Sequence, residues 1–104
     1  MPKYVFAYHG GSGAPTEAEQ AKAMDAWMSW FGTLGEAVVD VGNPVGAAKT
    51  IASDGSITDG GGGQPLTGYS LVSATDLDAA VGLAKGCPIL AAGGSVEVAE
   101  AIEM

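Results

Sequence analysis

The sequence predicts one α+β domain over residues 1–104, with an antiparallel sheet in the ferredoxin-like order βαββαβ. Three observations carry this prediction. Residues 3–9 hold a continuous run of aromatic and branched side chains, which is typical of a strand buried on both faces. Residues 16–34 have the pattern of a capped helix, and residues 68–84 repeat the order of strand and helix. A chain of 104 residues suits a single domain.

The first helix has the clearest signals. Thr16 and Glu19 have the spacing of a capping box, in which each side chain accepts a hydrogen bond from the other residue's backbone. Apolar residues follow this cap at helical spacing, namely Met24, Trp27, Met28, Phe31 and Leu34. Either Gly32 or Gly35 is expected to end the helix.

The middle of the chain predicts short strands joined by turns. Residues 36–41 have the apolar centre of a second strand, and residues 42–44 form a Gly-Asn-Pro turn. We expect residues 47–53 to continue the same sheet beyond this kink. Asp54 and Gly55 signal a hairpin turn, after which residues 57–58 form a short returning strand.

The C-terminal half predicts a second round of strand, helix and strand. Residues 59–65 include four consecutive glycines, a composition typical of a mobile loop. Residues 68–74 are a predicted strand, and Thr75 is the expected N-cap of the second helix. Gly86 is expected to end that helix, and residues 96–102 alternate like a last strand.

Charge and cysteine content exclude several classes of partner. The formal net charge is −8, from twelve acids and four lysines, and a surface of this sign repels nucleic acid and anionic membranes. The single cysteine, Cys87, allows no intrachain disulfide, and we expect it to be a buried apolar residue. No secretory h-region and no apolar run of about 18 residues is present, so we expect a cytoplasmic protein without a metal or other cofactor.

The first strand also predicts a homodimer. Two helices cover only one face of a sheet, whereas residues 3–9 are apolar on both faces. Hydrophobic residues make up 47% of the chain and charged residues 15%, which leaves few charges to solvate a second face. Pairing that face with a second copy would remove it from water.

His9 and Asp40 are the candidate catalytic residues. His9 is the one histidine and ends the first strand, where an imidazole can act as a general base or acid. Asp40 could orient it or act alone as a base. Alternatively, His9 bonds to a backbone group, and Asp40 accepts from the amides of its own turn. The glycines after His9 lack the lysine of a phosphate loop.

Five further residues are candidates for contact with a small ligand, and each has a structural alternative. Lys49 could bind a carboxylate or be a surface residue at a sheet edge. Tyr69 and Ser70 could line a pocket with their hydroxyls or could pack in the sheet. Asn43 is a further candidate, or only a residue of the predicted turn. Trp27 could form a pocket wall, although its helical spacing favours a core or interface residue.

Several runs resemble the YCII-related family, also called DGPF-domain proteins. The runs are Gly68-Tyr69-Ser70-Leu71-Val72, Thr75-Asp76-Leu77-Asp78-Ala79-Ala80, Leu83-Ala84-Lys85-Gly86-Cys87-Pro88 and Gly93-Gly94-Ser95-Val96-Glu97-Val98. The resemblance covers nearly the whole chain and implies a dimeric α+β barrel, in which ferredoxin-like subunits pair sheet to sheet. Some relatives carry a proposed catalytic His–Asp pair. Here the DGPF tetrapeptide is reduced to Asp59-Gly60. The histidine of the relatives' pair lies on a helix, and the first helix of this chain has no histidine.

Three functions are therefore open at the level of sequence. The first is a small-molecule-binding or regulatory homodimer of the YCII-related type. The alternative is a small enzyme that performs isomerase-type or lyase-type proton transfer with His9 and Asp40. The third is a purely structural dimer, since a fold alone does not fix a function.

Overall fold

The computed structural model describes residues 1–11, 16–59 and 65–103, and it has the α+β class predicted from the sequence. The elements in chain order are β1 Lys3–His9, α1 Glu17–Leu34, a 3₁₀ turn Gly35–Ala37, β2 Val38–Asp40, β3 Lys49–Ile51, β4 Ile57–Asp59, β5 Leu66–Ser73, α2 Leu77–Ala84, α3 Pro88–Ala91 and β6 Ser95–Ala101. Most of the predicted glycine loop at 59–65 lies outside the described residues.

Four strands form an antiparallel sheet in the order β2-β5-β1-β6. The central strand β1 pairs with β5 on one side and with β6 on the other, so that Ala7 lies opposite Tyr69 and Glu97. Successive side chains on a strand point to opposite faces. This register therefore decides which residues of three strands share a face.

One face of the sheet carries the hydrophobic core. Tyr4, Phe6 and Tyr8 alternate along β1 and are almost fully buried. The indole of Trp30 stacks on Phe6 with ring centroids 6.1 Å apart, and its Nε1 donates to the carbonyl oxygen of Leu83 at 3.1 Å. The buried N–H is thereby satisfied, which buried polar groups require. All three helices contribute buried side chains to this same cluster.

The opposite face of the sheet has no helix against it among the described residues. Val5, Ala7 and Leu71 lie on it and are half-buried by their strand neighbours. The described residues measure only 18 Å along the shortest principal axis. That thickness fits one layer of helices on one sheet, because packed layers lie roughly 10 Å apart.

The prediction that residues 47–53 continue the main sheet is wrong. Strands β3 and β4 form a separate two-stranded hairpin, with Lys49 opposite Asp59 and Ile51 opposite Ile57. All of its strand residues are exposed. The edge of the main sheet reaches Pro44, which bridges to Gly68 but has no N–H to extend the ladder.

The helix ends confirm some cap predictions and correct one. Thr16 caps α1 through the N–H of Glu19, and Gly35 ends the helix with a φ of 56°. The predicted N-cap Thr75 is wrong, because Asp76 accepts from the N–H of Ala79 at 2.8 Å instead. An aspartate is a better N-cap than a threonine. The short helix α3 was not predicted.

Candidate functional site

A group of polar side chains lies at one end of the open sheet face. Tyr69 and Glu97 flank Ala7 on the neighbouring strands, and His9 follows Ala7 on the same side of β1. Asn43, in the turn after β2, reaches Tyr69. We call His9, Asn43, Tyr69 and Glu97 the sheet-face cluster. Ala7, which has a small side chain, lies between Tyr69 and Glu97 in the strand register.

His9 and Glu97 form the charged half of the sheet-face cluster. Nε2 of His9 lies 3.2 Å from Oε1 of Glu97, and their side chains are 26% and 70% exposed. The two residues are diagonal neighbours across an antiparallel pair, where long side chains meet. A carboxylate in this position can orient an imidazole, as in the base–orienter pairs of enzymes.

Asn43 and Tyr69 form the neutral half. Nδ2 of Asn43 donates to the hydroxyl oxygen of Tyr69 at 3.2 Å, and the carbonyl of Asn43 accepts from the N–H of Tyr69. Gly42 makes this approach possible, since its φ is +73° and a Cβ there would lie 1.8 Å from the carbonyl oxygen of Tyr69. Only glycine fits such a position. The amide and the phenol can each offer a hydrogen bond to a ligand.

The predicted His9–Asp40 dyad is not assembled within one chain. His9 lies opposite Leu66 on β5 and Asp40 lies opposite Leu71, which places them roughly 16 Å apart along that strand. Oδ1 of Asp40 instead accepts from the N–H of Gly42 at 2.8 Å. The aspartate therefore stabilises its own turn, the structural alternative for this residue.

Lys49 and Ser70 lie away from the sheet-face cluster. Lys49 is on the separate hairpin, where its Nζ donates to Oδ1 of Asp59 at 2.9 Å. Ser70 faces the core and is 0% exposed, and it links the hydroxyl of Tyr8 to the carbonyl of Val41 at 2.8 and 2.6 Å. Ser70 thus satisfies the buried hydroxyl of Tyr8 and ties it to the end of β2, and no ligand can reach Ser70 in this conformation.

Trp27 lies on the other side of the sheet. Its indole packs edge-on against Tyr8, with centroids 4.9 Å apart, and it remains partly exposed. The exposed part lines an open groove of about 870 Å³ between α1 and α3. Trp27 and His9, both predicted to be site residues, therefore belong to different surfaces.

Glu97 is the residue that sequence reasoning missed. It lies between two core-facing valines, Val96 and Val98, so strand alternation alone placed it outward. What the sequence did not contain is the pairing of β6 with β1, which brings Glu97 beside His9. An outward-facing acid on the last predicted strand was the one available signal.

Two buried groups on the core side have raised pKa values. Cys87 is buried, as predicted, and burial raises the pKa of its thiol to about 11. Burial likewise raises the pKa of Tyr8 to about 12, although its hydrogen bond with Ser70 acts in the opposite direction. Neither group is available as a base near neutral pH.

Potential metal ligands, membrane-spanning helices and similarity to known proteins all bear on function. Within the described ranges, no group of three or more His, Cys, Asp or Glu side chains could hold a metal ion. Nor does any helix in the described part of the chain combine the length and the apolar character that crossing a membrane requires. No protein-family model matches the chain, and no curated protein matches it. The resemblance to the YCII-related family therefore stays a prediction.

Proposed function

We propose that this chain is a YCII-related, ferredoxin-like subunit of a homodimer, and that the dimer binds a small organic molecule at the sheet-face cluster. The strand order β2-β5-β1-β6 supports the ferredoxin-like part of this proposal. Each of the two helical crossovers then joins strands that have one other strand between them, which is the split-βαβ arrangement. The dimeric α+β barrel is the corresponding assembly, in which two such sheets face each other.

The observation that carries the proposal is the chemistry of the open sheet face. Its centre is apolar, with Val5, Ala7 and Leu71 half-buried, and its polar groups are gathered at one end. Water contact with the apolar part is unfavourable, and a second sheet would remove it. The sheet-face cluster would then lie beside a dry surface, where hydrogen bonds to a ligand are stronger.

The size of the face indicates that the dimer needs a second contact region. Three strands of seven or eight residues and the three-residue β2 cover about 400 Å² per subunit. A stable interface usually buries about 800 Å² on each partner. The hairpin of β3 and β4 supplies further apolar surface through Ile51 and Ile57, both strongly exposed. We propose that it completes the contact with the second copy.

Sedimentation velocity tests the dimer. We expect the wild-type chain to sediment as a dimer at about 10 μM and Leu71→Glu to sediment as a folded monomer, because the new charge lies on the apolar face. Met28→Glu is the matched control, since Met28 is exposed on α1, away from that face. A wild-type monomer at 100 μM, or a dimer that tolerates Leu71→Glu, would refute the proposed interface.

A second candidate function is proton transfer, and the His9–Glu97 contact favours it. Glu97 takes the orienting role that was predicted for Asp40. The keto–enol conversion of phenylpyruvate, followed by absorbance, is a direct probe. Catalysis above the buffer rate that falls at least tenfold in His9→Asn and in Glu97→Gln would support an enzyme. If the wild type does not accelerate the keto–enol conversion, only the binding function remains.

A further inference from the structure

The groove between α1 and α3 is on the side of the sheet opposite the sheet-face cluster. Its volume of about 870 Å³ lies within the range of small-molecule sites, roughly 300 to 1,000 Å³. One wall is α1, and the other comprises the link from α2 to α3, α3 itself, and Gly10 and Gly11 directly after β1. The groove takes no part in the proposed dimer, so what it binds is a separate question.

Two indoles give the groove a rigid aromatic wall. Trp27 and Trp30 are edge-to-face with centroids 5.7 Å apart. Trp30 is fixed by its hydrogen bond to Leu83 and Trp27 by its contact with Tyr8. Aromatic surfaces held in one orientation bind flat apolar groups with little loss of conformational entropy.

Small side chains keep the groove open. Ala23 and Ala26 on α1 face Ala91 and Ala92 at the other wall. At Gly86 a Cβ would lie 3.1 Å from Cδ1 of Trp30, so a larger residue there would press on the indole. Pro88 and Ile89 provide the apolar surface across from the tryptophans. The space therefore suits a flat ring system placed between two apolar walls.

One charged residue marks the end at which a polar group would bind. Lys22 is the single ionisable side chain among the described residues that line the groove. It shares a stripe of α1 with Ala26, Ser29 and Thr33, at spacings of i, i+4, i+7 and i+11. The chain has four lysines against twelve acids, so this ammonium group is a local exception to an acidic surface. It complements a carboxylate.

We propose that the groove binds a small planar aromatic carboxylate, with the ring against Trp27 and the carboxylate toward Lys22. The bound acid would contact no residue of the sheet-face cluster. The groove and the cluster are thus two independent sites on opposite faces of the same sheet.

Nuclear magnetic resonance of ¹⁵N-labelled protein with 2-naphthoate tests this proposal. The chain has only two tryptophans, and both line the groove, so their two indole N–H signals report on it directly. We expect saturable shifts of the Trp27 signal, while the backbone amides of Tyr69 and Glu97, which do not line the groove, stay in place. Shifts confined to those amides would overturn the groove site, whatever they implied for the sheet-face cluster.

Matched variants distinguish the contribution of the groove's shape to binding from that of the charge on Lys22. Ala26→Leu should abolish the indole shifts, because it fills the groove, whereas Ala21→Leu on the same helix should leave them unchanged. Lys22→Gln should weaken binding about fivefold, the size of an exposed ion pair, and Lys49→Gln should not weaken it. The methyl ester of the probe should bind about fivefold more weakly to the wild type. Equal affinities throughout these pairs would contradict the proposal.

Discussion

The two faces of the four-stranded sheet differ in what covers them, although the same strands supply both. Toward the helices, Tyr4, Phe6 and Tyr8 of β1 are at most 4% exposed. On the other side, Val5 and Ala7 of the same strand are shielded only by their neighbours. The covered face holds the aromatic core, and the open face holds the sheet-face cluster. The residues that stabilise the fold and those of the sheet-face cluster therefore lie on opposite faces of the same sheet.

The largest expected effect tests the difference in burial. Phe6→Ala should lower the free energy of unfolding by about 4 kcal/mol, because Phe6 is fully buried and stacks on Trp30. Val5→Ala, on the adjacent residue, should cost about 1 kcal/mol or less in dilute monomer. Urea denaturation measures both values. Similar losses for the two variants would mean that the faces are equally covered.

The contrast between the faces also explains what could be predicted from the sequence. Local signals worked where neighbouring residues carry the interaction, as in the N-cap at Thr16 and the hairpin turn at Asp54 and Gly55. They failed where the result depends on strand order. The distance between His9 and Asp40 is set by β5, which lies between their strands. No periodicity in the sequence contains that information.

The second prediction concerns the edge of the open face. Gly42→Ala should cost about 3 kcal/mol, because it adds a clash with the carbonyl of Tyr69 to the penalty of a positive φ. Gly55→Ala is the matched control. Its φ of +90° is also positive, but nothing lies within 4 Å of a new Cβ, so about 1 kcal/mol is expected. Equal costs in thermal unfolding would show that the turn moves away from Tyr69.

The third prediction concerns the pH dependence of stability that arises from two groups on the covered face, Cys87 and Tyr8. Burial raises the pKa of Cys87 from 9.0 to about 11 and that of Tyr8 from 10.0 to about 12. As the pH rises, the unfolded chain loses these two protons before the folded chain does. The free energy of unfolding therefore keeps its full value below pH 9 and falls as the pH rises from about 9 to 12. Cys87 alone should contribute on the order of 2 kcal/mol of that loss by pH 10.5.

Urea midpoints at pH 8.5 and pH 10.5 measure this loss. Cys87→Ala should remove the part that begins near pH 9 and retain the part due to Tyr8. An alkaline loss that is identical in the wild type and in Cys87→Ala would show that the thiol is as accessible in the folded chain as in the unfolded one.

The smallest expected effect belongs to the open face. Glu97→Gln should change the free energy of unfolding of the monomer by less than about 0.5 kcal/mol, because an ion pair with one partner 70% exposed is screened by water. A second sheet would change this, since covering the face takes both side chains out of water and makes the loss of one partner costly. Urea midpoints at 1 μM and at 100 μM protein, with His9→Asn as the partner variant, measure the difference. A cost that grows with concentration would place the His9–Glu97 pair inside the dimer, whereas the same small cost at both concentrations would place it in solvent.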